Sequence, residues 1–155
     1  MSVDPFADAR AFAQLILELI TPGAKPPLLV IAHPSKKDGL VAELAKHSQE
    51  LTKFRLIGTG TTAKTVQDAL GLPVFALRSG PEGGDEMAST LLILVLAVLT
   101  QRGVKCGVIF HPDPQWNQVH STAVQAFYRM LQFYGIMHTL NIESTRELFL
   151  PWLFS

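Results

Sequence analysis

Short apolar runs bounded by turn residues alternate along the chain with longer stretches in which apolar residues recur at helical spacing. The short runs are typical of buried strands in a parallel sheet, and the longer stretches are typical of the helices that cover such a sheet. The pattern predicts five strands, the last of them the weakest, at 27–33, 53–59, 72–78, 106–112 and 136–140. It predicts helices at 8–20, with Asp8 as a cap, and at 38–52, 63–70, 85–102 and 122–134.

Strands that alternate with helices predict an α/β fold, here a three-layer sandwich with a central, mostly parallel five-stranded sheet. The chain of 155 residues has the length of a single domain, 1–155. Within it we expect an N-terminal helix and linker at 1–26, a core at 27–145 and an apolar C-terminal tail at 146–155. The tail would be a poor exposed surface, so we expect it to dock on the domain or on a neighbouring chain.

The charge balance argues against a polyanionic partner such as nucleic acid. Lys plus Arg and Asp plus Glu both number 13, so there is no net field to attract one. The single cysteine, Cys106, lies in the apolar segment KCGVIF, which indicates a buried thiol in a reducing compartment, and no cluster suggests a metal site.

No segment of the sequence resembles a secretory signal, because the N-terminus lacks a basic start followed by a cleavage site. The most apolar run, at 91–99, is shorter than the roughly 18 to 20 apolar residues that cross a bilayer. We therefore expect a cytoplasmic protein without a membrane partner.

Polar and glycine-rich segments follow the first four predicted strands. The first strand runs into HPSKK at 33–37, the second into TGTT at 59–62, the third into SGPEGGD at 79–85, and the fourth into DPQWNQVH at 113–120. Ligands of open parallel sheets bind beyond the carboxyl ends of the strands. We therefore expect these four segments to share one edge and to form one site.

The segment at 59–62 has the chemistry of a phosphate site. Hydroxyl groups and free backbone N–H groups at a helix start can surround an anion, and the helix dipole favours its charge. Threonine is also a common helix cap and SGPEGG a common turn, so each motif alone is a weak signal. Convergence with Ser79 and with Lys37, which would act as a point charge, favours phosphate binding.

Asp85 and two histidines are the candidates for proton transfer and polarisation. A carboxylate beside a bound dianion holds its proton more readily and can act as a base near neutrality; Asp85 could also cap the following helix, and the two roles are compatible. His120 could polarise a carbonyl and His33 could bind a hydroxyl oxygen, although a lone loop histidine is more often a surface residue. His111 and His138 gain no such support, and we interpret them as structural.

Four segments together, IAHPSKK, GTGTT, SGPEGGDE and DPQWNQVH, resemble the methylglyoxal synthase family over about residues 27–145. Through its fold the chain is also similar to the ligand-binding domain of carbamoyl phosphate synthetase. The resemblance implies a three-layer α/β domain, usually assembled as a homohexamer. It also implies a carbon–oxygen lyase that converts dihydroxyacetone phosphate to methylglyoxal and inorganic phosphate, without a metal or an organic cofactor.

Residue by residue, the resemblance implies two catalytic groups and a binding set. Asp85 matches the family's catalytic carboxylate, and His120 matches a histidine placed to stabilise the developing enediolate oxygen. His33 matches a second substrate-binding histidine. The phosphate would be held by Lys37, Thr59, Gly60, Thr61, Thr62, Ser79 and Gly80.

The chain departs from the family pattern at two carboxylates, because it has Pro34 and Ala123 where the family has aspartate. This departure supports a second hypothesis, a non-catalytic regulatory module that binds a phosphorylated metabolite. A third hypothesis is a structural subunit that joins a partner through the apolar helix at 85–102 and the tail. The segment from Asp85 to Asp113 is several residues longer than is usual in the family, and its apolar helix could pack between subunits; with the apolar tail, this leads us to expect a homo-oligomer.

Overall fold

The part of the chain described by a computed structural model, residues 5–112 and 121–155, forms a five-stranded sheet in which all strands are parallel. The spatial order is β3-β2-β1-β4-β5, so β1 is central. The strands are β1 (Pro27–Ala32), β2 (Arg55–Thr59), β3 (Val74–Leu77), β4 (Gly107–His111) and β5 (His138–Thr139). All five predicted strands and the α/β fold class are confirmed.

Nine helical segments, joined in places by tighter or wider turns, connect and cover the described strands. A 3-10 turn (Gly80–Glu82) precedes α5, a π turn (Leu92–Leu96) joins α5 to α6, and a second π turn (Thr145–Phe149) joins α8 to α9. The helices are α1 (Pro5–Ile20), α2 (Pro34–Ala45), α3 (Ser48–Leu51), α4 (Gly60–Leu70), α5 (Gly84–Leu91), α6 (Ala97–Gln101), α7 (Ser121–Phe133), α8 (Ile142–Ser144) and α9 (Leu150–Phe154).

Two helices at the site edge of the sheet begin three or four residues earlier than the sequence pattern predicted. α2 starts at Pro34 rather than at 38, because proline at the first helical position needs no hydrogen-bond acceptor for an N–H. α4 starts at Gly60 rather than at 63, where a φ of +50° turns the chain from strand into helix. The strand ends therefore pass directly into helix starts without an intervening loop.

Asp8 does not cap α1, because that helix already begins at Pro5. The prediction of a cap is wrong, and Asp8 instead lies in the first turn, where its carboxylate accepts a hydrogen bond from Arg78 Nη2 at 2.5 Å. The pair joins the N-terminal helix to the residue that follows β3. It is exposed on both sides, so we expect only a small contribution to stability.

The core has two layers, one on each face of the sheet. In β1, Leu28 and Val30 pack into one cluster and Leu29 into the other, as side chains of a strand alternate between faces. Helices α1, α5, α6 and α7 cover the Leu29 face; α2, α3, α4 and α9 cover the opposite face. Cys106 is buried as predicted, and burial raises the pKa of its thiol.

The helical run Gly84–Gln101 is long enough and apolar enough to cross a membrane by length and composition alone, with a mean hydropathy of 1.4. The sequence analysis considered only the shorter apolar run at 91–99, whereas the helix continues through the π turn. Core helices pass the same test, and here Leu91, Leu92, Val95 and Leu96 have no exposed surface. Its place in the core therefore explains the apolar character of the buried face of this run, whereas Ile93 and Leu94 are exposed at 41% and 50%.

The C-terminal tail docks on the domain, as one of the two predicted arrangements. It is helical, and Phe149, Leu150 and Leu153 enter the core on the α2 side of the sheet. Lys105 Nζ holds its end by donating to the carbonyl oxygens of Trp152 at 3.1 Å and of Ser155 at 2.9 Å.

Candidate active site

A cavity of about 250 Å³ opens at the carboxyl edge of the sheet, where β1, β2, β3 and β4 end. Nine of the ten predicted site residues line it, and they come from three separate segments of the chain. These are His33, Lys37, Thr59, Gly60, Thr61, Thr62, Ser79, Gly80 and Asp85. The tenth, His120, lies outside the described residues.

Lys37 joins the segments that follow β1 and β2. It lies near the start of α2, and its Nζ donates a hydrogen bond to Thr61 Oγ1 at 2.5 Å. Lys37 is half-buried at the cavity wall, whereas its neighbour Lys36 is exposed and does not line the cavity. One fixed positive charge therefore faces the space in which an anion would lie.

The start of α4 presents backbone donors to the same space. The first four N–H groups of a helix have no partner within the helix, and the side chain of the N-cap residue, Thr59, makes no capping hydrogen bond here. Of these groups, the Gly60 N–H donates a hydrogen bond to the Arg78 carbonyl oxygen at 3.3 Å. Thr62 is 2% exposed, and its Oγ1 contacts the Ala32 carbonyl oxygen at 3.4 Å. The 11-residue helix therefore offers its positive dipole end together with Lys37.

The segment after β3 closes against the start of α4, and glycine is required at two contacts. A side-chain Cβ on Gly60 would lie 3.3 Å from the Ser79 Cα, and the positive φ of Gly60 also disfavours any other residue. A Cβ on Gly84 would lie 1.9 Å from the Arg78 carbonyl oxygen, which no rearrangement of a side chain could relieve. These close approaches bring Ser79 to the cavity.

The carboxylate of Asp85 lies against Gly80, because a Cβ built on Gly80 would be 3.0 Å from Asp85 Oδ1. Asp85 does not cap α5: the N-cap is Gly83, and Asp85 is the second residue of the helix. The capping interpretation is therefore wrong. Its half-buried side chain lines the cavity together with Lys37 and the start of α4.

His33 is held in place by its own helix start. It is the N-cap of α2, and its Nδ1 accepts a hydrogen bond from the Ser35 backbone N–H at 3.2 Å. Because Nδ1 accepts, the proton of the neutral ring is on Nε2. The next residue, Pro34, also lines the cavity, so one of the two positions at which the sequence departs from the expected family pattern belongs to the site.

His111 lines the cavity as well, although the sequence analysis interpreted it as structural. It is 2% exposed, and its Nε2 lies 2.8 Å from Thr145 Oγ1. Burial lowers the pKa of His111 to about 4, an effect that the Asn141 backbone carbonyl partly opposes. The signal that could have found it is its place as the last residue of β4, at the edge that His33 also occupies.

Five further apolar residues line the cavity, and all belong to the core cluster on the Leu29 face of the sheet. Phe110 and Phe127 pack edge to face with ring centroids 5.5 Å apart. The sequence analysis missed these residues because apolar positions at strand and helix ends look like ordinary core. They are Ile31, Ala88, Phe110, Val124 and Phe127.

His138 stays structural, since its Nδ1 lies 2.8 Å from the Ile136 carbonyl oxygen and it does not line the cavity. Asp38 and Glu86, the acidic residues nearest the site segments in sequence, are exposed and are also absent from the described lining. Within 5–112 and 121–155 no group of three His, Cys, Asp or Glu residues could hold a metal ion.

Fold and cavity together define an α/β domain with one polar site at the carboxyl edge of a parallel sheet.

The MGS-like domain family matches residues 40–139. The chain is 35% identical over 121 residues to methylglyoxal synthase of Exiguobacterium sp., covering 78% of this chain and 82% of that protein. It is 33% identical over 126 residues to methylglyoxal synthase of Thermus thermophilus, covering 81% and 93%.

Among solved structures, the crystal structure of methylglyoxal synthase from Elizabethkingia anophelis matches with a TM-score of 0.64 at 32% sequence identity. The match covers 84% of this chain and 82% of that one. The chain belongs to the methylglyoxal synthase family.

Proposed function

We propose that the protein is a methylglyoxal synthase that converts dihydroxyacetone phosphate to methylglyoxal and inorganic phosphate. The observation that carries this proposal is that Asp85, Lys37 and the start of α4 line one cavity of about 250 Å³. A carboxylate and a lysine beside a helix start in one small cavity suit a substrate that carries a phosphate and loses a proton from carbon. Membership of the family supports the same reaction.

The reaction begins with proton abstraction. Asp85 removes a proton from the hydroxyl-bearing carbon beside the substrate carbonyl, and the electron pair left behind forms the C=C bond of an enediolate. His120 donates a hydrogen bond to the oxygen on which negative charge develops.

Elimination follows without further reagents. The enediolate expels phosphate as the C–O bond on the other side of the carbonyl breaks, and the resulting enol becomes methylglyoxal. The atoms balance without an oxidant, a reductant or water. Lys37 and the N–H groups of α4 hold the phosphate so that the breaking bond stands out of the enediolate plane, which favours elimination over simple isomerisation.

A second candidate is a non-catalytic module that binds a phosphorylated metabolite. It is favoured by Pro34, which lines the cavity where the family has a carboxylate. Thermal-shift measurements separate the two: a sensor is stabilised by one phosphorylated metabolite and leaves dihydroxyacetone phosphate unconverted, whereas the enzyme releases inorganic phosphate from it. Release of inorganic phosphate from dihydroxyacetone phosphate by the purified wild-type chain would support the enzyme. Stabilisation by a phosphorylated metabolite without phosphate release over hours would support the binding module.

The proposal includes a cytoplasmic homo-oligomer, with a homohexamer as the expected order. Several large apolar side chains on the described surface support self-association, among them Phe133 at 82% and Leu148 at 71% exposure. Light scattering coupled to size-exclusion chromatography tests this part, and a mass near the 17.0 kDa of one chain would contradict it.

A further inference from the structure

His111 is the one described histidine that is both fully buried and part of the cavity wall. Its hydrogen bond to Thr145 ties it to the C-terminal helical segment, 34 residues along the chain. A buried polar side chain at a ligand cavity has a defined set of protons and lone pairs. The positions of these protons and lone pairs decide whether the His111 ring presents a hydrogen-bond donor or an acceptor to a ligand.

Thr145 fixes which nitrogen of His111 carries the proton. Thr145 Oγ1 lies 2.8 Å from the Asn141 carbonyl oxygen, which can only accept, so the single hydroxyl proton of Thr145 is donated there. The same Oγ1 therefore faces His111 Nε2 with a lone pair. A hydrogen bond at 2.8 Å then requires Nε2 to carry the proton and to donate.

The neighbouring hydroxyl supports this assignment. Thr139 Oγ1 lies 3.0 Å from Thr145 Oγ1 and 3.2 Å from the Asn141 carbonyl oxygen, so it can donate to either without requiring a proton from Thr145. Both threonines are buried, at 3% and 0% exposure, and no water is needed to satisfy them. The cluster thus holds one tautomer of His111.

In that tautomer Nδ1 of His111 carries no proton and can only accept a hydrogen bond. No buried side-chain nitrogen or oxygen within 5–112 and 121–155 lacks a hydrogen-bond partner, and the ring uses Nε2 for Thr145, so Nδ1 lies on the surface that the ring shows to the cavity. The low pKa of His111 keeps this nitrogen unprotonated at neutral pH, with Lys36 adding to the effect of burial and Glu143 opposing it. The cavity therefore contains a permanent neutral acceptor beside the cationic phosphate site.

We propose that His111 Nδ1 accepts a hydrogen bond from a hydroxyl group of the bound phosphorylated ligand and so selects ligands that carry this hydroxyl. A neutral acceptor cannot bind phosphate oxygens, which also only accept, so its partner must be a donor elsewhere on the ligand. The inference deepens the proposed function by naming a specificity residue of the same site. It is independent of whether the ligand is subsequently converted.

The test compares two ligands that differ by one hydroxyl group: dihydroxyacetone phosphate and hydroxyacetone phosphate, in which hydrogen replaces the hydroxyl. Binding is measured by calorimetry in an Asp85→Asn background, so that turnover does not disturb it. We expect the background protein to prefer the hydroxylated ligand by about tenfold, the usual worth of one buried hydrogen bond. His111→Phe should abolish the preference, and His111→Gln, which keeps a donor and an acceptor, should retain part of it.

Two matched variants of the threonine cluster separate this role from simple packing. Thr145→Val removes the acceptor that fixes Nε2–H and should reduce the preference, whereas Thr139→Val removes the neighbouring hydroxyl and should leave it unchanged. The ratio of the two affinities does not depend on the fraction of protein folded, and circular dichroism verifies that each variant is folded. If His111→Phe does not fold, His111→Gln and Thr145→Val carry the test.

An unchanged preference in the His111 variants, or an equal loss of affinity for both ligands, would overturn the proposal. A background protein that binds both ligands equally would overturn it too. Phosphate release by the protein with intact Asp85 is measured separately. A protein that shows the preference but no release refutes the proposed reaction and leaves the role of His111 standing.

Discussion

Lys37 Nζ donates a hydrogen bond to Thr61 Oγ1 at 2.5 Å, and this contact joins the first turn of α2, which follows β1, to the first turn of α4, which follows the neighbouring strand β2. It places the ammonium group beside backbone N–H groups that have no helical partner. The two helix starts thus bring one lysine and the positive end of a helix dipole together at the cavity.

Replacing Lys37 with Met should weaken binding of inorganic phosphate by at least about tenfold, because hydrogen bonds to charged groups are worth more than neutral ones. Stability should hardly change, since exposed polar pairs contribute little. Calorimetric titration with phosphate measures the loss. Lys36→Met is the matched control, because Lys36 is exposed and lies outside the cavity lining; equal losses for the two variants would contradict the site as described.

Gly84→Ala should destabilise the protein by about 3 kcal/mol or more, because the new Cβ would lie 1.9 Å from the Arg78 carbonyl oxygen and only backbone movement could relieve the clash. Gly39→Ala is the control within α2, where a Cβ has nothing within 4 Å. It should stabilise the protein by about 0.5 to 1 kcal/mol. Urea unfolding of the two variants gives both values, and a mild effect at Gly84 would show that the turn after β3 is not as tight as described.

His111 should make stability fall between pH 7 and pH 5. Its pKa is about 4 in the folded chain and about 6.5 when unfolded, so in this range the unfolded chain binds a proton that the folded chain does not. The folded state therefore loses about 2 kcal/mol as pH falls from 7 to 5. Urea unfolding of wild type and His111→Gln at the two pH values isolates this contribution, and parallel losses in both proteins would refute it.

Glu43 should stabilise the attachment of the C-terminal helical segment. Its buried carboxylate accepts hydrogen bonds from Arg146 Nε at 2.8 Å and from His47 Nε2 at 3.2 Å. Both lower the pKa of Glu43, and the hydrogen bond from Arg146 has the larger effect. Because the folded pKa is lowered, this stabilisation is present above the usual pKa of about 4.5 and is lost as pH falls through the folded value. Glu43→Gln should cost about 1 to 2 kcal/mol at pH 7.

The control for Glu43 is Glu50→Gln, an exposed residue of the short helix that follows. It should change the free energy of unfolding by less than about 0.5 kcal/mol. Chemical unfolding at pH 7 compares the two variants, and a loss at Glu43 no larger than that at Glu50 would mean that the Arg146 contact does not contribute to stability.

The strands could be predicted from sequence because each is a short apolar run between turn residues, and their carboxyl ends then fixed the edge at which to look for a site. The first residues of the helices were harder to predict from sequence than the strands. α2 and α4 begin at Pro34 and Gly60, residues that usually end regular structure, because each follows a strand directly. Pro34 carried a usable signal, because proline is favoured at the first helical position, whereas Gly60 carried no comparable one.

His111 was missed for a different reason. It is a strand residue in an apolar segment, and only the three-dimensional structure shows that its ring reaches Thr145, far along the chain, while also lining the cavity. The apolar wall with Phe110 and Phe127 was missed for the same reason, because packing across elements decides which core residues face a ligand. The polar motifs, by contrast, were local in sequence and could be recognised there.

The measurement that tests the central claim most directly is release of inorganic phosphate from dihydroxyacetone phosphate by wild type, Asp85→Asn and Glu86→Gln. Glu86 is the matched control, since it follows Asp85 in the first turn of α5 but is exposed and outside the cavity lining. We expect wild type and Glu86→Gln to release phosphate at similar rates, and Asp85→Asn to be slower by at least about a hundredfold, as for loss of a general base. Release by Asp85→Asn at the wild-type rate, or no release by wild type, would contradict the account.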